Sequence, residues 1–169
     1  RDRLVDHILE TPRIFLVGAG PSGLAVRGFA MRLNHLGRQA HTIGEMATPF
    51  AEAGDLLVIG SGSGRTESLR AVQEKAIAKG LKTALVTIDA SSPMAERADV
   101  VITIPASSPK CAASATDDPE VNEVPKSRQP MGTLFEQCLW LVFDGLVMKL
   151  MNRLKSREEE MFGRHANLE

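Results

Sequence analysis

The sequence has no tyrosine, one tryptophan, and an aromatic content of 4% over 169 residues. It has two cysteines, Cys111 and Cys138, which stand far apart with neither a CxxC pair nor a histidine at ligand spacing. This spacing argues against a zinc site and against a disulfide framework. We therefore expect no metal and no disulfide.

Long apolar runs and one-sided charge are also missing. No run reaches the length of a membrane-spanning helix, and the chain does not open on a charged-then-apolar leader. The 20 basic residues are matched by 21 acidic ones, with no basic block able to neutralise several phosphates of a nucleic acid. We expect a cytoplasmic protein with neither a membrane nor a nucleic acid as partner.

Apolar residues make up 43% of the sequence, which is enough to build the core of one domain. We expect this domain to span residues 1–169. Short apolar runs alternate with helical patterns. This alternation predicts a doubly wound α/β fold, a parallel five-stranded sheet with helices on both faces. The predicted strands are Arg13–Val17, Ala40–Ile43, Leu56–Gly60, Lys82–Ile88 and Val100–Pro105, and the predicted helices are Asp2–Glu10, Leu24–Leu36, Glu67–Lys79, a short one within Ala90–Ala98, and Leu134–Met151.

The turn at residues 61–66, Ser-Gly-Ser-Gly-Arg-Thr, joins a predicted strand to a predicted helix. Gly62 lets a ligand approach the backbone, and Ser61, Ser63 and Thr66 add hydroxyl donors. The positive end of the following helix dipole favours an anion. The turn therefore predicts a phosphate site; the alternative is a solvated turn in which Thr66 caps the helix.

An earlier turn, Gly18-Ala-Gly20-Pro-Ser-Gly23, fits the GxGxxG pattern of dinucleotide-binding proteins. Glu45 follows the second strand, where a ribose-binding acid would be sought, although it also fits an exposed loop carboxylate. A dinucleotide site does not need a second phosphate turn. The two turns together favour a monophosphate with sugar hydroxyls, and hence no redox cofactor.

Two later regions differ from the rest. Residues 106–131 are poor in large apolar side chains, and a loop of that length in a compact domain is usually functional or disordered. The helix Leu134–Met151 is apolar on nearly every side. One small sheet covers only one side of a helix, so we expect a homo-oligomer, a dimer or tetramer, to cover the rest.

Several segments together resemble the sugar isomerase (SIS) family, and within it the 6-phospho-3-hexuloisomerases. They are G-A-G-x-S-G-L followed one helix later by A-M-R-L, G-E-x-x-T-P at 44–49, S-G-S-G-x-T at 61–66, M-G-T-L-F-E-Q at 131–137 and R-H-A-N-L-E at 164–169. The resemblance covers nearly the whole chain and implies a flavodoxin-like sheet. Pro21 stands where the family commonly has Arg, and Arg65 where it commonly has Glu.

The resemblance implies isomerisation of D-arabino-3-hexulose 6-phosphate to fructose 6-phosphate through a cis-enediol, a step of formaldehyde fixation by the ribulose monophosphate pathway. It implies that Glu136 is the base that removes the proton from carbon 2. An alternative is structural: Thr133-x-x-Glu136 is also a capping-box sequence, in which the Glu bonds back to the Thr133 N–H.

The resemblance also implies a role for His165 as an acid or proton shuttle, supplied within the chain or to a neighbouring subunit. A histidine near a terminus is otherwise a solvated surface residue. Ser22 and Thr48 are candidates for binding sugar hydroxyls, and both also suit helix starts and turns. Gln129 is a further candidate only because it lies at the end of the long loop; nothing else in the sequence supports a role for it.

Two alternatives to the isomerase remain from the sequence. One is a small flavin- or nicotinamide-binding protein, which the first glycine turn would suit. The other is a phosphosugar sensor without catalysis, because SIS domains also occur in sensors.

Overall fold

The computed structural model describes residues 1–109, 111 and 127–168. Most of the predicted loop 106–131 and the last residue of R-H-A-N-L-E therefore lie outside the described residues. The helices are α1 (Asp2–Glu10), α2 (Pro21–His35), α3 (Glu67–Ala78), α4 (Pro93–Glu96), α5 (Thr133–Leu154) and α6 (Glu158–Phe162), and the strands are β1 (Arg13–Gly18), β2 (Gln39–Thr42), β3 (Leu56–Gly60), β4 (Lys82–Thr87) and β5 (Val100–Thr103).

The five strands form one parallel sheet in the order β2-β1-β3-β4-β5. This confirms the predicted doubly wound α/β fold. Two boundaries shift by three residues: α2 begins at Pro21 rather than near Leu24, and α5 ends at Leu154 rather than Met151. Proline suits the first helical position, because its fixed φ is helical and its missing N–H has no partner to lose there.

Alternate residues along each strand enter different cores, as the period of two of a strand requires. Leu56 and Val58 of β3 face the core shared with α1, α2 and α5. Leu57 and Ile59 face the core shared with α3 and α4. Both faces of the sheet are thus covered. The ends of the strands form two edges: the carboxyl edge, where they finish, and the amino edge, where they start.

Helix α5 packs along α2, where the rings of Phe29 and Phe143 stack with centroids 4.4 Å apart. Other parts of its surface are open: Leu141 and Met148 are 69% and 66% exposed, and Trp140, whose ring lies against Gly28 of α2, is 45% exposed. The apolar sequence of α5 thus exceeds what the sheet and α2 cover. No helix in the described ranges is long and apolar enough to cross a membrane.

Candidate active site

A cavity of about 320 Å³ opens at the carboxyl edge. Its centre is the switch point where β1 and β3 lie side by side and continue into helices on opposite faces, the place where parallel α/β sheets bind ligands. Three segments supply most of its lining: residues 19–22 after β1, residues 60–63 with Thr66 after β3, and residues 131, 132, 135 and 136 at the start of α5.

Three helices begin at this cavity. Its lining includes Ser22 in the first turn of α2, Thr66 directly before α3, and Gly132 directly before α5. Helix N-termini carry partial positive charge and free N–H groups, so all three favour an anion. No lysine or arginine is among the described residues that line the cavity. An anion here would be bound mainly by N–H groups, hydroxyls and helix dipoles.

Three hydroxyls of the lining have no hydrogen-bond partner within the described parts of the chain: those of Ser22, Ser61 and Thr66. Ser61 is the strongest case, because it is 4% exposed and its Oγ is fully buried. A buried hydroxyl without a partner costs about 1 to 3 kcal/mol. A ligand hydroxyl or phosphate oxygen in the cavity would remove that penalty.

The backbone of the 61–66 turn also offers donors. The N–H groups of Gly62 and Ser63 donate to no acceptor among the described residues. Gly64 has φ of +59°, a conformation that glycine adopts without penalty, and a Cβ there would lie 1.9 Å from Ser92 Oγ. The turn can therefore fold back against α4 only with glycine at this position.

Glu136 lies on the other wall of the cavity, half-buried in the first turn of α5. Its carboxylate makes no hydrogen bond or ion pair with any described residue. A carboxylate that the fold leaves unpaired beside a ligand cavity is free to exchange a proton with a ligand.

The capping-box alternative for Glu136 does not match the start of α5. Gly132, not Thr133, is the N-cap, which puts Glu136 one position too far along the helix. The Thr133 N–H donates to Pro130 O at 3.2 Å, and the Thr133 hydroxyl donates to the same oxygen at 2.6 Å. Glu136 is therefore not needed to cap the helix.

Another cavity, of about 350 Å³, lies between α5 and the end of β5. Its lining is mostly apolar, with Arg1 and Lys149 among its residues, and Lys149 pairs with Asp2 at 2.5 Å. Its described lining has no hydroxyl side chain, and it meets one helix start, Arg1 directly before α1, where the carboxyl-edge cavity meets three. The chemistry of the lining, rather than size, selects the carboxyl-edge cavity as the candidate site.

Comparison with known families agrees with this geometry. The model of the family described as SIS domain matches residues 7–117, more than half of the chain.

The chain belongs to the SIS domain family.

Relatives with named activities extend this result. The chain is 45% identical to the 3-hexulose-6-phosphate isomerase of Bacillus subtilis over 99% of this chain and 86% of that protein. It is 40% identical to the protein of that name from Mycobacterium gastri, over 98% and 78%. A solved structure from Methanococcus jannaschii, for which the function 3-hexulose-6-phosphate isomerase was inferred, superposes with a TM-score of 0.84 at 37% identity, covering 99% of this chain and 85% of that one.

In this SIS domain the first glycine turn serves packing as well as the site. A Cβ on Gly23 would lie 2.8 Å from Gly18 O, so the third glycine of GxGxxG lets α2 start tightly against β1. That close packing is one of the uses of glycine in dinucleotide folds. The third glycine of the motif is therefore required for the close packing of α2 against β1. The motif does not by itself indicate that a dinucleotide binds.

Thr48 and Glu45 lie in the segment after β2, and neither is among the described residues that line the cavity. The Thr48 hydroxyl lies 2.8 Å from Thr42 O and 2.7 Å from Glu45 O, so it closes its own turn. Glu45 is exposed. The contacts of Thr48 are those of a turn residue, which was one of its two predicted roles. The other role, binding a sugar hydroxyl, stays a prediction.

His165 lies far from the cavity of its own chain. Its ring contacts that of His35, with centroids 5.2 Å apart, and Arg164 donates to His35 O at 3.0 Å. His35 ends α2, whose first turn lines the cavity, and 15 helical residues span about 22 Å. His165 is therefore at the amino edge, and a role in proton transfer would need a second copy of the chain.

The two departures from the family pattern lie on different sides of the cavity. Pro21 begins α2 and lines it. Arg65 is not among the described residues that line the cavity, and it pairs with Asp89 at 2.8 Å. Burial opposes ionisation of Asp89, but hydrogen bonds from Ser91 and Arg65 outweigh it and lower the pKa of this carboxyl. Gln129 bonds to Gln137 at 3.0 Å and does not line the cavity among the described residues.

Sequence reasoning missed the apolar walls of the site. Leu69, Ile88 and Phe135 all line the cavity. In the sequence these residues are apolar positions of predicted helices and of a strand end. Their residue types do not distinguish a side chain that lines a site from one that lies in the core.

Proposed function

We propose that this chain is a phosphosugar isomerase that interconverts D-arabino-3-hexulose 6-phosphate and fructose 6-phosphate. The observation that carries the proposal is one cavity with an unpaired carboxylate on one wall and free N–H and hydroxyl donors on the other. The names of the relatives supply the substrate. They do not favour the dinucleotide alternative.

The 61–66 turn would bind the phosphate group. Ser61, Gly62, Ser63 and Thr66 offer hydroxyls and N–H groups at the start of α3, the arrangement by which helix N-termini bind phosphate. Ser22, on the β1 side of the cavity, would bind a sugar hydroxyl. The phosphate turn and Glu136 line the same cavity, so a sugar phosphate bound at the turn would share that cavity with the carboxylate.

Glu136 would act as the base. Its carboxylate takes the proton from carbon 2 of the hexulose, and the electron pair of that C–H bond forms the double bond between carbons 2 and 3. The carbonyl pair moves to the oxygen on carbon 3, which gains a proton to give the cis-enediol. The protonated Glu136 returns its proton to carbon 3, and loss of the proton from the oxygen on carbon 2 completes the shift of the carbonyl from carbon 3 to carbon 2. The electrons stay within the substrate, so the overall reaction consumes no oxidant or reductant.

We infer a homo-oligomer, a dimer or tetramer, from apolar side chains that the described chain leaves open. Leu24 and Met31 on α2 are 62% and 44% exposed, next to the open side of α5 with Trp140. A patch of this kind marks a protein–protein interface. In such an assembly His165 of a second copy would be available to a cavity. We further propose a single SIS domain over residues 1–169, acting in the cytoplasm in the ribulose monophosphate pathway.

The test follows the carbonyl itself. Fructose 6-phosphate labelled with ¹³C at carbon 2 is incubated with the protein, and the carbon spectrum is recorded. The proposal expects a new signal from an alcohol carbon, because carbon 2 of the 3-hexulose carries a hydroxyl. A spectrum that stays unchanged, with protein that is yellow or stabilised against heat by NAD alone, would overturn it.

A further inference from the structure

The carbonyl of Gly62 is anchored by three donors. It accepts hydrogen bonds from Ile88 N at 2.9 Å, from the Thr87 hydroxyl at 3.0 Å and from Cys111 Sγ at 3.4 Å. Burial raises the pKa of the Cys111 thiol, which keeps its proton available for this bond. The 61–66 turn is therefore tied through this carbonyl to the end of β4.

The anchoring fixes the direction of a neighbouring donor. A trans peptide is planar, so the C=O of Gly62 and the N–H of Ser63 point in opposite directions. With the carbonyl turned toward β4, the Ser63 N–H points away from β4. Ser63 lines the cavity, and its N–H has no acceptor among the described residues. The bonds to Gly62 O thus fix the direction of a free donor on a residue that lines the site.

We propose that Thr87 is a positioning residue for phosphate binding: its hydroxyl holds the Gly62–Ser63 peptide in the orientation that presents the Ser63 N–H to the phosphate. The inference rests on the proposed function. Thr87 is 0% exposed and does not line the cavity, so it acts through the turn and not on the substrate.

The local hydrogen bonds define the direction of the Thr87 hydroxyl. Its oxygen accepts the Asp89 N–H at 3.2 Å, which leaves its own proton for Gly62 O. Of the three donors to Gly62 O, the Thr87 hydroxyl can be deleted without changing backbone or volume, because valine has nearly the shape of threonine. Ile88 N would remain, so the peptide would lose part of its restraint rather than all of it.

Thr83 offers a matched control. It is a second fully buried threonine of β4, on the same face and four residues earlier, about 13 Å along the strand. Its hydroxyl lies 3.5 Å from Asp99 Oδ2 at the amino edge. Thr83→Val makes the same chemical change in the same strand, but away from the turn.

The experiment compares wild type with Thr87→Val, Thr87→Ser and Thr83→Val. Steady-state kinetics give KM and kcat for fructose 6-phosphate, and ¹⁵N–¹H spectra follow the Ser63 amide on addition of inorganic phosphate. For Thr87→Val we expect KM to rise roughly 3- to 10-fold, the loss of one hydrogen bond, with kcat changed less than about threefold. The phosphate-induced shift of the Ser63 amide should shrink.

Thr87→Ser keeps the hydroxyl and should stay within about twofold of the wild-type KM. If the valine variant does not fold, Thr87→Ala, which also lacks the hydroxyl, replaces it in both measurements. Thr83→Val should keep the wild-type KM. An unchanged KM and amide shift in Thr87→Val, or an equal rise of KM in Thr83→Val, would overturn the inference alone. Wild-type protein that binds neither inorganic phosphate nor fructose 6-phosphate would overturn the proposed function together with it.

Discussion

Two buried polar side chains at opposite edges of the sheet, Asp55 and Ser61, differ in whether the fold pairs them. At the amino edge, the carboxylate of Asp55 is 1% exposed and is fully paired: it contacts Arg13 at 3.0 Å and accepts the Glu52 N–H at 2.8 Å. At the carboxyl edge, the buried hydroxyl of Ser61 and the half-buried carboxylate of Glu136 have no partner in the described chain. Burial is similar for Asp55 and Ser61, and only the pairing differs.

The difference separates groups that serve folding from groups that serve a ligand. A buried polar group that is satisfied within the chain stabilises the fold, and losing one partner leaves the other buried and unpaired. A polar group left unsatisfied makes folding slightly less favourable until a ligand supplies the partner. Changes at the carboxyl edge should therefore reduce activity at little cost in stability, and changes at the amino edge the reverse.

The largest effect is expected for Glu136→Gln. An amide cannot take up the proton at carbon 2, so kcat should fall by roughly a hundred- to ten-thousandfold. The melting temperature should stay close to that of the wild type, because the carboxylate has no partner within the fold.

Asp144→Asn is the matched control for this variant. Asp144 is exposed on the same helix, eight residues or about 12 Å farther along, and its neutralisation should leave kcat unchanged. If Glu136→Gln retains most of the turnover, the base lies elsewhere, and the carboxyl edge loses its distinguishing group.

At the amino edge, Asp55→Ala should lower the free energy of unfolding by about 1 to 3 kcal/mol, because it leaves the Glu52 N–H without its acceptor and removes the buried partner of Arg13. Activity per folded molecule should be unchanged. Glu52→Ala removes the other carboxylate that pairs with Arg13, but this one is exposed, so its loss should cost at most about 1 kcal/mol. Equal destabilisation in urea titrations of the two variants would contradict the comparison.

Replacing both Ser63 and Thr66 by Ala should weaken binding of fructose 6-phosphate, since each hydrogen bond to a charged phosphate contributes about 1.5 to 3 kcal/mol. Calorimetric titration measures the loss, and the melting curve should barely move. Ser68→Ala, an exposed serine of the same helix start, is the control. Unchanged affinity in the double variant would exclude these two hydroxyls from phosphate binding.

The smallest effect is a pH dependence from His35. Its pKa is lowered, first by burial and then by the charges of Arg32 and His165. The unfolded chain therefore binds this proton more readily, so the stability contributed by neutral His35 is complete above about pH 6.5 and is lost as pH falls through the lower folded pKa. His35→Gln should flatten this part of the stability profile in urea titrations between pH 7 and 5; an identical profile would assign the dependence to another group.

Much of the fold followed from the sequence, because strand and helix periods alternate clearly and each glycine turn follows a strand. The position of Ser22, Ser61, Ser63 and Thr66 around one cavity followed as well, since parallel strands end at the same edge. The sequence left Glu136 open between a base and a helix cap. The structure bears only on the cap: Gly132 is the N-cap of α5, a shift of one residue that Thr133 alone does not reveal. The role of Glu136 as base stays a prediction.

The remaining misses have a common cause in tertiary packing. The contact between His165 and the end of α2 depends on how α6 returns to the amino edge, and no local pattern encodes that path. Leu69, Ile88 and Phe135 line the same cavity although they come from α3, the end of β4 and α5. Only the tertiary structure brings these three elements together. The bond from Thr87 to Gly62 O likewise joins residues that local sequence cannot pair.

The central claim is that the carboxyl edge both binds a phosphosugar and exchanges a carbon-bound proton. The most direct test records the proton at carbon 3 of fructose 6-phosphate by NMR in D₂O with wild-type protein, alongside Glu136→Gln at saturating substrate. We predict that the signal of this proton decays with wild type and persists with Glu136→Gln, while both proteins bind fructose 6-phosphate. Binding by wild type without decay of the signal would contradict the claim and identify a sensor instead.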